Sequence, residues 1–583
     1  MKRKLISIFL SVLFLVSTLT SCIQINSGAN DTTPTESTPA ETTPAVTTPA
    51  VTTPAETTSN TSNEPSPAEP TKKLQLTFKT PNETKTIDLN NAGEYTLNNP
   101  VRVGYEFVGW ETEDGKIFPA SGKLTENATV VAKWKVLETS TFAQLKERIE
   151  TGADTILVTD DIVLTETIYV TSNVEITATK PIVLKRSQDF LGDLFVLGET
   201  AQGENTILLF GKTASLSLKP QNTALFIDGD NITSNGTAFL LLNSSTLNIY
   251  DGVHIQNLKK HGNDHLTVDN DYNVSYPQKV GGAAAIITSG VLNMYGGIIS
   301  ECSASEADSK TVAKEDQIAG YDNSSCGGAI YNYGNFHMYG GCIDNNSAAR
   351  GGAIYNYRTV KIYAGILQNN YASAYGGVMY MPNSQYTYCV IGSEGSGLDV
   401  VIRNNSATAS GGAIFASHQS ATNILGNTVF ESNKSESNGG AINMAGSLTI
   451  NYAVFKNNSA SSKGGAIYAY YGDADFSTRI VTIKSGVFSY NYAPRGGAIA
   501  FYGNDEKDPP QGAIGQIGNV TFMNNSANKT SAGKYGNGGA IYAGLSSTVT
   551  VSADALFCNN FAGDNKSADT YTTSKATIVI KES

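Results

Sequence analysis

The sequence predicts an all-β chain wound as a single-stranded, right-handed parallel β-helix. Three observations predict it. First, two glycines followed by Ala or Val recur nine times, starting at Gly281, Gly327, Gly351, Gly376, Gly411, Gly439, Gly464, Gly496 and Gly538. Starts 327, 351 and 376 are 24 and 25 residues apart, and starts 411, 439 and 464 are 28 and 25 apart. Self-similarity at such a period marks a repeat architecture. Second, most pairs follow an asparagine that stands three places after a large apolar residue, as in Leu367-Gln368-Asn369-Asn370 and Phe455-Lys456-Asn457-Asn458. Third, each unit holds three short apolar stretches. In 351–375 these are Ala353-Ile354-Tyr355, Val360-Lys361-Ile362 and Ile366-Leu367. Each is too short for a helix, and glycine pairs would break one. Three strands and three turns then make one coil, paired with the next about 4.8 Å away.

The elements follow in chain order. Lys2, Arg3 and Lys4 precede an apolar run from Leu5 to Val16, too short for a membrane-spanning helix. Leu19-Thr20-Ser21-Cys22 then resembles a bacterial lipobox. That resemblance implies a lipoprotein signal peptide over 1–21, cleavage before Cys22, and lipid on that cysteine. Residues 22–72 repeat Thr-Thr-Pro and Thr-Pro-Ala and hold no aromatic side chain, so they have no core to bury and read as a tether. Extended Pro-rich chain of this length reaches on the order of 100–150 Å.

Residues 73–135 read as a small separate module. Leu74-Gln75-Leu76-Thr77-Phe78 and Thr129-Val130-Val131-Ala132-Lys133-Trp134 alternate like strands, and both tryptophans of the chain, Trp110 and Trp134, lie here. Gly104-Tyr105-Glu106-Phe107-Val108-Gly109-Trp110 and Ala132-Lys133-Trp134 resemble the internalin B-repeat, also called the Listeria–Bacteroides repeat. The resemblance implies a β-grasp-like stalk or adhesion unit. Thr80-Pro81-Asn82 replaces the glycine pair usual after its first strand. So small a domain needs both indoles inside.

The β-helix is assigned to 136–583. A capping helix is expected over 140–151. Thr141 and Gln144 form a capping box, Phe142, Leu145 and Ile149 share a face, and Gly152 stops the helix. Such a helix covers the open edge of the first coil. Less regular coils follow, for example Ile162-Val163-Leu164 and Leu216-Ser217-Leu218. About 15 coils at about 4.8 Å give a rod on the order of 70 Å. In the regular coils, Asn346, Asn370, Asn405, Asn433, Asn458, Asn491, Asn525 and Asn560 share one register and should stack amide on amide, with Cys302 in the same slot. Their recurrence in every coil favours structure over catalysis.

The paired motif, Gly-Gly-Ala-(Ile/Val/Leu) with Phe-x-x-Asn, resembles the repeats of the chlamydial polymorphic outer membrane proteins over roughly 281–563. Leu367, Ile343 and Ile402 stand where that pattern has Phe. The resemblance implies a β-helix displayed at a cell surface and used for adhesion. It is specific for fold and weak for function.

Composition narrows the partners. The formal net charge is −12 and no basic stripe is visible, which argues against nucleic acid. Cys302, Cys326, Cys342, Cys389 and Cys558 form no C-x-x-C pair, and they read as free thiols in different coils, with Cys558 at the surface. The pectate-lyase-like scaffold also carries polysaccharidases, which need clustered carboxylates or calcium. Asp160-Asp161, Asp228-Gly229-Asp230 and Asp251-Gly252 read as turns. His254, His261 and His265, with Asp264 and Asp269, can supply zinc ligands but read more simply as a loop. Asp473, Asp475, Asp505, Glu506 and Asp508 lie in two acidic insertions of consecutive coils, where they are calcium candidates or plain loop tips. No other cofactor is implied.

The strongest surface feature is aromatic. Strand alternation should point Tyr331, Tyr355, Tyr380, Phe415, Tyr468 and Tyr542 outward, with Tyr333, Tyr357 and Tyr470 continuing the face. The row is either a contact surface for sugar rings or a protein, or a cross-coil stacking ladder. The reading is a lipid-anchored bacterial surface protein, adhesin-like, binding a glycan or a host or neighbour-cell protein. A polysaccharide lyase or glycoside hydrolase is the alternative, and a passive surface-layer protein the third.

Overall fold

The structure, a computed structural model, describes residues 73–581 except 82, 90–92, 199–212, 262–264, 269–273, 279–281, 306–324, 395–399, 472–479, 504–511, 529–535, 564–565, 568 and 574; for 265–268, 274–278 and 566–567 it describes backbone alone. These residues fall into two compact units, one from residues up to 101 with 107–134, the other from 102–106 with 135 onwards. In the first, strand Gln75–Lys79 pairs antiparallel with Thr84–Asp88 and parallel with Ala128–Val136, in a five-stranded mixed sheet. A central parallel pair of first and last strands is the β-grasp-like arrangement expected. Trp110 is buried under Phe78 and Phe107, and Trp134 packs on Phe107 at 5.4 Å.

The second unit is a right-handed parallel β-helix. Strand pairing joins each coil to the next in register, as in Ile330↔Ile354, Phe336↔Val360 and Ile343↔Leu367. The strand that follows each glycine pair belongs to a 13-stranded sheet, so the described residues make thirteen coils. That is fewer than the about 15 that the length suggested. The next two strands of each coil form a 26-stranded sheet. A fourth, short strand was not foreseen. It follows the asparagine corner, as in Ser347–Arg350 and Tyr371–Tyr375, within an eight-stranded sheet. Its Ser-Ala sequences are too small to show as an apolar stretch.

Inward residues fill one continuous core from Leu145 to Val551. In its later coils Phe430, Phe455, Phe488, Phe522 and Phe557 stack at 4.6–5.2 Å between centroids. Helix α1 (Phe142–Glu150) starts at Thr141, whose side chain accepts from the Gln144 N–H, while Gln144 Oε1 accepts from the Ser140 N–H at 3.0 Å. Leu145 and Ile149 are fully buried on the first coil.

The glycine pairs divide their work. The first glycine is left-handed, with φ between +62° and +70° from Gly327 to Gly538. The second is tight rather than left-handed. A Cβ on Gly440 would meet the Gly465 carbonyl oxygen at 2.0 Å and Ser459 N at 2.6 Å. Coils therefore touch backbone to backbone along this column.

Candidate functional site

The asparagine ladder is present and fully bonded. Asn346, Asn370, Asn405, Asn433, Asn458, Asn491, Asn525 and Asn560 are all completely buried. Asn458 shows the pattern. Its Oδ1 accepts from the backbone N–H and Nδ2 of Asn433, both at 3.0 Å, and its Nδ2 donates to Asn491 Oδ1 at 3.0 Å and to the Phe430 carbonyl at 2.9 Å. The Cys302 N–H donates into one end, and Asn560 Nδ2 donates to Asp569 at the other. Every polar atom is used inside the stack, so these residues brace the corner. The left-handed residue is the one before each rung: Asn345, Asn369, Asn404, Ser432, Asn457, Tyr490, Asn524 and Asn559 have φ from 52° to 57°.

The expected tyrosine face needs correction. Tyr331, Tyr355, Tyr380, Phe415, Tyr468 and Tyr542 do lie outside the lumen, but exposure is 1–8 %. Tyr333, Tyr357 and Tyr470 are half-buried. Alternation fixes which way a side chain points and says nothing of what lies over it. Here the residues just before the glycine pairs lie over it. Tyr375 packs on Phe415 at 4.7 Å, the Arg350 guanidinium stands 6.0 Å from the Tyr380 ring, and Lys463 covers Tyr468. The rings also cover one another, with Tyr331–Tyr355 at 4.6 Å and Tyr380–Phe415 at 5.4 Å, nearly parallel. Burial pushes the Tyr331 and Tyr355 hydroxyls well above the usual phenol range and Tyr333 up to about 12. This row is a second, outer core.

An exposed aromatic ladder lies elsewhere, at the corner between two strand rows of the 26-stranded sheet. Tyr250, Tyr295, Tyr339 and Tyr363 stack at 5.0–5.1 Å, with planes 9–21° apart. Tyr295 is 42 % exposed and Tyr339 40 %. Lys219 Nζ covers the Tyr250 end at 5.4 Å. Beyond the following corner, His254, Ile298, Cys342 and Ile366 form one outward row in register. His254 stacks on Phe226 at 4.7 Å, and burial lowers its pKa. The signal was in the sequence: each of these tyrosines directly follows a strand and opens a corner, as in Met294-Tyr295-Gly296-Gly297 and Met338-Tyr339-Gly340-Gly341.

The remaining candidates are mostly structural or out of view. Asp161 accepts from the Val183 N–H of the next coil at 2.8 Å, and Asp228 from the Asp230 N–H two residues on at 2.7 Å, as a turn residue does. His261 Nδ1 meets Ser305 Oγ at 3.2 Å; Asp264, Asp269 and the His265 side chain lie outside the described residues. So do Cys22, Gly281 and the calcium candidates Asp473, Asp475, Asp505, Glu506 and Asp508. Among the described residues no three His, Cys, Asp or Glu side chains gather as a metal site, and no helix is long and apolar enough to cross a membrane. Cys302, Cys326, Cys342 and Cys389 are buried free thiols and Cys558 is exposed. Burial pushes Cys302 and Cys389 up to about 12, which makes them poor nucleophiles.

Stacked coils, a bonded asparagine corner and a glycine column define a β-helical repeat protein. Over residues 399–417, 427–444, 453–470 and 519–544 the chain matches the repeat of the Chlamydia polymorphic membrane protein. The first three matches run from the third strand of a coil, across the asparagine corner and the glycine pair, to the strand beyond. No curated protein and no solved structure matches the chain.

Proposed function

We propose that this is a lipid-anchored bacterial cell-surface protein of adhesin type, whose β-helix binds a glycan or a protein of a host or neighbouring cell. The exposed tyrosine ladder carries the reading. The match to a membrane-protein repeat and the lipobox at Cys22 support surface display. In this reading residues 22–72 are the spacer and 73–135 an internalin B-repeat-like stalk.

The ladder sets the chemistry. Its rings lie face to face, so their faces are largely taken by each other. What remains for a partner is ring edges and a comb of hydroxyls about 5 Å apart, next to an apolar row. That suits a polymer or an extended protein surface better than a single small molecule.

The test is capture of the detergent-solubilised full chain on an array of glycans and matrix proteins. A Tyr295→Ser/Tyr339→Ser variant should bind roughly tenfold less or weaker still, at about 1 kcal/mol per ring, with its β spectrum intact. Release of unsaturated or reducing-end sugar products would replace the reading by the lyase or hydrolase one. No capture at all would leave a passive surface-layer protein. Cys22→Ser should free the protein into the medium or leave an unprocessed precursor.

A further inference from the structure

The outer aromatic row has one place where its chemistry changes. Phe415, Asn443, Tyr468, Ala500 and Tyr542 are consecutive register partners, so Asn443 and Ala500 interrupt the rings. Opposite them, Asn438, Lys463 and Arg495 are bridged in parallel, one per coil. Two cations thus stack at adjacent rungs, in a chain whose net charge is −12. Like charges at neighbouring rungs repel.

Lys463 is half-buried, with its Nζ 5.5 Å from the Tyr468 ring and 4.6 Å from Tyr502. Among the described residues no carboxylate pairs with it, in contrast to Lys456, which meets Glu431 at 3.0 Å. Burial first, and then the Arg495 charge, lower its pKa. A second, independent feature adjoins it. Asn438 Oδ1 and Asn443 Oδ1 are buried with no donor, and Asn443 is 2 % exposed. A buried acceptor without a donor is costly unless something supplies one. The half-buried Lys463, Arg495, Tyr470 and Tyr502 keep the place open to solvent at its rim.

We propose that Asn438, Lys463 and Arg495, facing Asn443, Tyr468 and Tyr502, bind an acidic sugar of a polysaccharide, with its carboxylate or sulfate between the two cations. A sugar hydroxyl supplies the donor that the Asn438 amide oxygen lacks, once that half-buried amide turns to meet it. An aromatic wall beside paired cations suits a ring that is apolar on one face and anionic at one substituent. The inference rests on the glycan branch of the proposed function, and it narrows that branch to anionic polymers.

The experiment titrates the full chain with polygalacturonate, dextran sulfate, neutral dextran and inorganic sulfate, by calorimetry and thermal shift. Polygalacturonate or dextran sulfate should bind, and which of them does identifies the anionic group. Binding should fade in about 0.5 M sodium chloride. Lys463→Gln and Arg495→Gln should each weaken it roughly tenfold or more, while Lys456→Gln leaves it unchanged. Bound polymer should also protect Lys463 of the unaltered protein from acetylation, read by mass spectrometry, which serves if a variant folds poorly. Equal binding of neutral dextran overturns the proposal. So does an equal response to inorganic sulfate, which would mean an adventitious ion only. Loss of polymer binding in the Tyr295→Ser/Tyr339→Ser variant but not in Lys463→Gln overturns it too, and leaves the adhesin reading standing. If no glycan or protein is captured on the array and neither anionic polymer binds, both readings fail.

Discussion

Tyr490 holds a backbone conformation that its side chain disfavours. Its φ is +55°, within the 52–57° shared by the residue before every asparagine rung, and six of its seven counterparts from Asn345 to Asn559 are asparagine. Asparagine tolerates this conformation because its short polar side chain bonds locally, whereas a bulky residue is strained there. Tyr490→Asn should therefore stabilise the protein by about 1 kcal/mol, read as a higher Tm. A second residue-scale case is Asp344. It is buried at the coil corner, and burial raises its pKa above 3.8 despite hydrogen bonds from Asn369 and Gln368 and the nearby Arg403 charge. The folded state thus holds the proton more tightly than the unfolded one. Its contribution to stability falls as pH rises from 3.8 through the folded pKa, then stays constant. Asp344→Asn should raise Tm at pH 7, and the gain should shrink as pH approaches 3.8. A gain that grows on acidification would mean the carboxylate is stabilised by its partners after all.

At the scale of one coil, the outer tyrosines behave as core. Tyr355 is stacked between Tyr331 at 4.6 Å and Tyr380 at 5.5 Å, and is 4 % exposed. Tyr355→Ala should cost about 3 kcal/mol, as removal of a large buried ring does. Denaturant unfolding reads this directly, and a loss below about 0.5 kcal/mol would put the ring back at the surface. The coil's plan was legible because its constraints are periodic. Gly351 and Gly352, Ile354 and Asn370 each answer to a fixed neighbour one coil away, so each recurs. The cover over Tyr380 was not legible, since Arg350 and Tyr375 are two unlike residues at equivalent positions and share no pattern. The exposed ladder was overlooked for a related reason. Tyr295 and Tyr339 stand between the end of a strand and a glycine pair, at a corner, where strand alternation does not say which way a side chain points. The paired cations were likewise hidden, because Lys463 and Arg495 are 32 positions apart (495 − 463) and meet only through coil register.

Over the whole β-helix, each coil touches mainly its neighbours, so stability should be close to a sum of coil and interface contributions. The first coil is the exception, because one of its neighbours is helix α1. Leu145 and Ile149 are fully buried there, in one core with Ile156, Ile162 and Ile168. A Leu145→Asp/Ile149→Asp variant places two carboxylates against that core, which costs several kcal/mol unless the helix lifts away. Lifting exposes the first coil and its strand edges. Amides of Thr155–Val158, Ile162–Leu164 and Ile168–Val170 should then exchange faster by orders of magnitude, while those of Thr428–Glu431 and Ala453–Lys456 keep their protection. Hydrogen-exchange mass spectrometry resolves the two regions. A single drop shared by all coils would instead show that the stack unfolds as one cooperative unit, with interface energies large enough to carry a defect at one end through to the other.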